Sequence, residues 1–295
     1  MALQAIVIII ATARATVITF LLMFHLVYVE KRIPLAFRDA IPPRELQVAY
    51  GNIFETWPEP EMSKYTTILF DLDGTLRASQ PEGFEAFAQY CGRVGIQLTQ
   101  VQIELIEREA NRYWASGLVD VHMSRYDKRE FWLNYDKILL TAIGVTDPSS
   151  YAPRIQELYD LYYDPIDVLY SDAFVVLEEL RKGGYILGLV TNRDMDIEPM
   201  LLRYRMREYF NFVVTGGQAG FFKPHPEIFR QAIKLSGGPA DKTLYVGDNY
   251  FADVVGALNV GMDAVLVDAR NVFRDFYNHR VKHLRQVLEF IHGAE

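Results

Sequence analysis

Short apolar runs separated by stretches of helical pattern constrain this chain more than any other feature. Runs near 66–70, 185–190, 211–214, 243–247 and 263–267 are brief and nearly continuous in Val, Ile, Leu, Phe and Tyr. Strands buried on both faces of a sheet look like this, because neither face can carry polar side chains. Between the runs lie patterns of helical period, such as Ala173-Phe174-Val175-Val176-Leu177-Glu178-Glu179-Leu180. The alternation predicts an α/β fold in which a parallel sheet is covered by helices on both faces. Ligands of such sheets bind beyond the carboxyl ends of the strands, so the residues that end each run are the candidate site.

The first run, Thr66-Thr67-Ile68-Leu69-Phe70, passes into Asp71-Leu72-Asp73-Gly74-Thr75-Leu76. Asp71 and Asp73 are two apart in an extended segment and point the same way, while Gly74 permits a sharp exit. Two adjacent carboxylates repel unless a cation lies between them or one is protonated, which points to a divalent metal, to acid/base work, or to both. The competing reading is a solvated strand end with an Asp-Gly turn. The second run, Tyr185 to Val190, stops at Thr191-Asn192, whose hydroxyl and amide can bind a phosphoryl oxygen but also make an ordinary helix N-cap. Lys223, within Gly220-Phe221-Phe222-Lys223-Pro224-His225-Pro226, is a cation able to neutralise paired acids and phosphate, although a lone lysine is more often a solvated loop charge. Thr243-Leu244-Tyr245-Val246-Gly247 ends on Asp248, with Asp253 beyond it, and acids from a separate strand can complete an oxygen-rich Mg2+ site.

Taken in order, these four blocks resemble the four motifs of the haloacid dehalogenase superfamily of phosphohydrolases, and the likeness runs from about residue 64 to 291 without departure from the core pattern. The resemblance implies a Rossmann-like parallel core with an inserted α-helical cap of the first type. It implies Asp71 as a nucleophile that forms an aspartyl-phosphate, a covalent route open to carboxylates. Asp73 would be the general acid and then the base, Thr191 and Asn192 would hold a phosphoryl oxygen, and Lys223 would stabilise the nucleophile and the transferring group. Mg2+ would be held by the Asp71 carboxylate, the Asp73 backbone carbonyl and Asp248, with Asp253 bound directly or one step removed. Family members that act as dehalogenases lack both the second aspartate and the metal, so Asp73 favours a phosphatase. The expected activity is Mg2+-dependent hydrolysis of a small phosphorylated metabolite. A phosphomutase, which would pass the phosphoryl group to a sugar, and a non-catalytic binding protein on the same fold are the alternatives.

The expected organisation is a catalytic core of residues 62–80 and 170–295 with a helical cap at 81–169. Phe84, Phe87 and Ala88, then Val101, Ile103, Leu105 and Ile106, then Phe131, Trp132, Tyr135, Ile138 and Leu139 recur near helical spacing, and Pro148-Ser149-Ser150 reads as a break. Arg112, Tyr113, Trp114, His122 and Arg125 are the cap candidates for contact with the non-phosphate part of a substrate, against the plainer reading of packing and solvated charge. His225, next to Lys223, reads as structural.

Half of the 295 residues are apolar and the net charge is −8, which supports a substantial core and argues against a general nucleic-acid surface. The single cysteine, Cys91, forbids an intramolecular disulfide. Residues 5–29 are mostly apolar and long enough for one bilayer crossing of about 20 residues. Lys31, Arg32, Arg38 and Arg44 follow them, which predicts a cytoplasmic catalytic domain behind a membrane anchor. Arg14 within the span opposes this, and a translation start at Met62, which would make residues 1–61 a gene-start artefact, is the other reading.

Overall fold

The computed structural model describes residues 63–293. The segment 1–61 and Met62, with the candidate anchor and the alternative start, lie outside the described residues. Among those described, no helix is long and apolar enough to cross a membrane.

Strand β1 (Thr67–Phe70) leads into an antiparallel ribbon of β2 (Arg77–Gln80) and β3 (Ile166–Leu169). Between the two ribbon strands run helices α1 (Gly83–Arg93), α2 (Gln100–Trp114), α3 (Leu118–Arg125), α4 (Lys128–Ala142) and α5 (Pro148–Tyr162). There follow α6 (Ala173–Lys182), β4 (Ile186–Thr191), α7 (Glu198–Arg203), β5 (Phe212–Thr215), α8 (Gly216–Ala219), α9 (Pro226–Ser236) and β6 (Thr243–Gly247). A π-helical turn (Tyr250–Val254), α10 (Val255–Leu258), β7 (Asp263–Val267), β8 (Arg280–Val281) and α11 (Gln286–Ile291) complete the described chain. The main sheet has six strands in the order β5-β4-β1-β6-β7-β8, every neighbouring pair parallel.

The five apolar runs are β1, β4, β5, β6 and β7, and burial on both faces explains their composition. All of β1 is buried. Successive side chains alternate between the faces: Ile68 and Phe70 enter a core with Val176, Leu177 and Leu180 of α6, whereas Leu69 packs with Ile228, Phe229 and Ala232 of α9. The β2/β3 ribbon and the two-residue β8 carry no such signature. Strand β2 reads Arg-Ala-Ser-Gln, and it is the ladder from Arg77 opposite Leu169 to Gln80 opposite Ile166 that makes it a strand.

Helices α1 to α5 carry a core of their own, with Phe87, Tyr90, Ile106, Phe131, Leu139 and Ile155 all buried. The helical periodicity of the sequence is met, except that Val101 lies on the outer face, 65% exposed. Pro148 starts a helix instead of breaking one: Asp147 accepts a hydrogen bond from the Ser150 N–H at 3.3 Å, and proline suits the first turn because its missing N–H has no partner there anyway. Helix α2 docks this layer onto the loop after β7. Arg108 donates to the Val272 carbonyl at 2.6 and 3.0 Å. Arg270 forks onto Glu107 at 2.8 and 2.9 Å, reaches Glu82 at 3.3 Å, and sits 4.4 Å from the centre of the Phe84 ring.

One buried group in the layer has no counter-charge among the described residues. Asp136 on α4 is 1% exposed, and its one hydrogen bond among the described residues comes from the Gln156 amide on α5, at 2.6 Å. Burial pushes this carboxyl up from 3.8 to about 7, with the Gln156 hydrogen bond opposing. In the unfolded chain it ionises near its ordinary value, so the folded state holds a proton that the unfolded state has lost. The associated stability is complete below about pH 4 and is lost as pH rises through 7, at up to about 1.4 kcal/mol per unit. Asp136→Asn should therefore flatten the fall in urea-unfolding free energy between pH 4 and 8 and leave the variant more stable than the parent at pH 8.

Candidate active site

Three strand ends converge. Asp71 follows β1, Thr191 closes β4 and Asp248 follows β6, and β1 lies between the other two in the sheet. Asp71, Asp73, Thr191, Asn192, Lys223, Asp248 and Asp253 all line one cavity of about 1250 Å³ that runs from these strand ends to the helical layer. The seven candidates of the four motif blocks are thus brought to one place.

Lys223 is the centre of the arrangement. It is 4% exposed, and its Nζ donates to Asp71 Oδ1 at 2.5 Å, to Asp253 Oδ1 at 2.6 Å and to the Tyr245 hydroxyl at 3.0 Å. Tyr245 in turn donates to the Val190 carbonyl at 2.9 Å. Asn192 secures the lysine's backbone: its Oδ1 accepts from the Lys223 N–H at 2.6 Å and its Nδ2 donates to the Lys223 carbonyl at 2.9 Å. The Asn192 side chain is therefore engaged in positioning Lys223, not aimed at an incoming phosphoryl oxygen. Burial alone would strip the ammonium of its proton, but Asp253 and Asp71 overcome this and hold Lys223 firmly protonated. The Asp71 carboxyl, 5% exposed, is pushed by burial up to about 7, with Lys223 opposing.

Local backbone geometry makes room for the acids. Gly74 has φ +91°, and a Cβ there would lie 2.0 Å from Asp248 Oδ2. A Cβ at Gly247 would lie 2.3 Å from Asp253 Oδ2. Both glycines are cradles into which a carboxylate fits because no side chain competes. Asp253 sits in the π-helical turn, whose start is capped by Asn249 Oδ1 accepting from Phe251 N at 3.0 Å and Ala252 N at 2.9 Å. Such turns are frequent at functional sites.

Asp71, Asp248 and Asp253 each offer a carboxylate oxygen, all within 4.8 Å of one another. Lys223 pairs with Asp71 and Asp253 but not with Asp248, and burial followed by repulsion from Asp71 and Asp253 drives Asp248 well above the usual carboxylate range. An all-oxygen cluster with one carboxylate lacking a counter-charge suits a hard divalent cation, which would displace the proton. Asp71 Oδ2 and Asp248 Oδ2 have no protein hydrogen bond among the described residues, whereas both oxygens of Asp253 are engaged, by Lys223 and by the Asn249 N–H at 3.0 Å. On this geometry Asp71 and Asp248 each present an unbonded oxygen to the cavity, while both oxygens of Asp253 are taken up in orienting the lysine and the turn.

Asp73 brings a contact that sequence reasoning missed. Arg193 grips it with Nε on Oδ2 at 2.8 Å and a terminal nitrogen on Oδ1 at 2.9 Å, and Arg77 of the ribbon bonds it as well, while also bridging to Asp167 on β3. A bidentate arginine fixes both position and plane of a carboxylate. Tyr245 was equally unforeseen, although a tyrosine within an aliphatic buried strand signals a hydroxyl in need of a partner.

Of the cap candidates, Trp114 alone lines the cavity. Arg112 pairs with Glu109 on the surface, the Tyr113 hydroxyl is hydrogen-bonded to His122 at 2.9 Å, and Arg125 lies over Tyr126. Trp132, Tyr135, Asp136, Gln156 and Tyr159 take the wall instead. His225 is structural, capping α9 by accepting from the Glu227 N–H at 3.2 Å and stacking on Phe221.

Residues 65–261 match the family model for haloacid dehalogenase-like hydrolases. Haloacid dehalogenase-like hydrolase domain-containing protein 3 of Homo sapiens is 32% identical over 197 residues, 66% of this chain and 78% of that protein. Glyceraldehyde 3-phosphate phosphatase of Methanothermobacter thermautotrophicus is 26% identical over 209 residues, 68% of this chain and 85% of its own. A Lactobacillus delbrueckii subsp. bulgaricus crystal structure, provisionally named a phosphoglycolate phosphatase, superposes on 77% of the chain and 98% of itself with a TM-score of 0.51 at 20% identity, a likeness of fold.

Removing the lysine should expose the cost of the buried acids. Lys223→Met should lower the free energy of urea unfolding in EDTA by about 3 kcal/mol, since it strands buried carboxylates without a cation. Adding Asp71→Asn to it should recover part of that loss, because the two changes touch one network; strictly additive losses would contradict the coupling.

Proposed function

The chain belongs to the haloacid dehalogenase-like hydrolases, and within that family we propose that it is a Mg2+-dependent phosphomonoesterase acting through an aspartyl-phosphate. The observation that carries this reading is the placement of a carboxylate, Asp71, with one oxygen held by Lys223 Nζ at 2.5 Å and the other without a protein partner among the described residues, facing the same cavity as Asp73. The free oxygen attacks phosphorus. Lys223 and the Thr191 hydroxyl bind the non-bridging phosphoryl oxygens, which places fixed donors where charge accumulates. Asp73, held in plane by Arg193, donates a proton to the departing oxygen, and the Asp71–phosphoryl bond forms as the ester bond breaks. Water then attacks the acyl phosphate with Asp73 taking its proton, which releases inorganic phosphate and restores Asp71. Mg2+ on the Asp71 and Asp248 carboxylates and the Asp73 carbonyl would shield the nucleophile from the anionic phosphoryl group. The helices between β2 and β3 act as the cap, covering the site, excluding bulk solvent and leaving room for the one attacking water. The glyceraldehyde 3-phosphate phosphatase relative supports a phosphorylated small molecule as substrate class.

Phosphate release by the full chain from a panel of phosphomonoesters, with Mg2+ or with EDTA, tests the reading. Release should require Mg2+ and fall by about 10⁴-fold or more in Asp71→Asn, the scale seen when a nucleophile is removed. Undiminished release by that variant would refute the nucleophile. Consumption of a sugar phosphate without net phosphate release would favour a phosphomutase.

A further inference from the structure

The cavity is much larger than its chemistry requires. At about 1250 Å³ it exceeds the ~300–1,000 Å³ typical of pockets for drug-sized ligands, and a two-carbon phosphate would fill only the end beside Asp71. The far end lies within the helical layer and has a definite composition. Trp132 and Tyr135 of α4 form a near-perpendicular pair with ring centres 5.7 Å apart, and Trp114 of α2 closes against them at 6.1 and 5.7 Å. Flat, rigid aromatic walls of this kind suit planar rings.

Two oxygens on the wall have no hydrogen-bond partner among the described residues. Asn111 Oδ1 is buried and unpartnered. Its amide orientation is fixed because Nδ2 donates to the Glu107 carbonyl at 3.2 Å. Deeper in, Asp136 is 1% exposed and lines the cavity, with Oδ2 taken by Gln156 at 2.6 Å and no hydrogen bond to Oδ1 among the described residues. A buried acceptor left unpaired costs about 1–3 kcal/mol, and Asp136 in addition weakens the fold above pH 4. Side chains that cost stability without compensating contacts are typical of sites that bind something.

We infer that Asp136 and Gln156, between the aromatic walls, form a recognition pocket for a planar nitrogen heterocycle bearing N–H donors, so that the substrate is a nucleoside monophosphate. The ring lies against Trp132 and Tyr135 and donates to Asp136 Oδ1, whose proton passes to solvent as the ring N–H takes its place, Asn111 Oδ1 accepts from a ribose hydroxyl, and the phosphate rests at Asp71. Gln156 fixes the carboxylate through Oδ2 and so leaves Oδ1 for the ring edge. A hydrogen-bonding pocket of this type discriminates strongly against substrates lacking the donor, because its own polar atoms are then left unpaired. The inference rests on the phosphomonoesterase reading for its chemistry and on the cavity wall for its specificity.

The test compares GMP, AMP, CMP and UMP with ribose 5-phosphate and phosphoglycolate as substrates of the full chain, in the parent, Asp136→Leu and Asp136→Asn. The best nucleotide should exceed ribose 5-phosphate in kcat/KM by about tenfold or more. Asp136→Leu should shrink that ratio by about tenfold through KM, and Asp136→Asn, which keeps an acceptor and the fold, should restore part of it. Binding is read separately by adding the phosphate-free nucleoside and following tryptophan fluorescence, which should be quenched in the parent and less so in Trp132→Phe. Equal or better turnover of ring-free phosphates, or an equal loss on all substrates in Asp136→Leu, would overturn the inference while leaving the Asp71 chemistry standing. Quenching by nucleoside that depends on Asp136, without hydrolysis of any phosphomonoester, would support the pocket and remove the phosphatase reading.

Discussion

The contact between one buried ammonium and two carboxylates organises this molecule. Lys223 reaches the site from the segment before α9, Asp71 from the end of β1 and Asp253 from the π-helical turn beyond β6. These groups could not be buried singly, because an isolated charge in a protein interior neutralises or pulls water in. Together they hold three separately placed segments in register, and the restraint extends through the Tyr245 hydroxyl to the Val190 carbonyl on β4. The ends of β1, β4 and β6 are thereby locked to one another through side chains as well as through the ladder.

The balance of charge at this centre is deliberately incomplete. One lysine faces three clustered acids, and Gly74 and Gly247 provide the space in which two of those acids approach closely. A protein seeking only stability would replace such a group by packed apolar side chains, often at no loss. Stability is given up here for a cluster of buried acids that opens onto the cavity. Arg193 and Arg77 treat Asp73 differently, holding it apart from the cluster in its own salt bridges, so neighbouring carboxylates of similar intrinsic acidity occupy separate electrostatic surroundings.

Much of this was legible in the sequence for a physical reason. Parallel strands buried on both faces must be apolar throughout, so β1, β4, β5, β6 and β7 stood out, and sheet geometry dictated that Asp71, Thr191 and Asp248 would share an edge. What stayed hidden depends on partners remote in the chain. Arg77–Gln80 is a strand because Ile166–Leu169 pairs with it, not because of its composition. Arg193 looked like any polar residue after a strand, and its grip on Asp73 follows from the adjacency of β1 and β4 in the sheet. Pro148 was misread because proline ends and begins helices alike, and Asp147 decides which. Asp136 lay in plain view among Phe131, Trp132, Tyr135 and Leu139, an acid on the inward side of an apolar helix, but periodicity weighs the apolar majority and passes over the single exception.

The separation of the cores has a consequence for how such a chain can change over generations. The buried residues of α1 to α5 belong to one cluster and those on the two faces of the sheet to two others, with no buried residue shared. Substitutions that reshape the helical layer are therefore felt first within that layer, while the charged centre beneath keeps its geometry. Descendants can diverge in what they admit without relearning what they do to it, and the seam between invention and inheritance runs along the Arg77–Gln80 and Ile166–Leu169 ribbon.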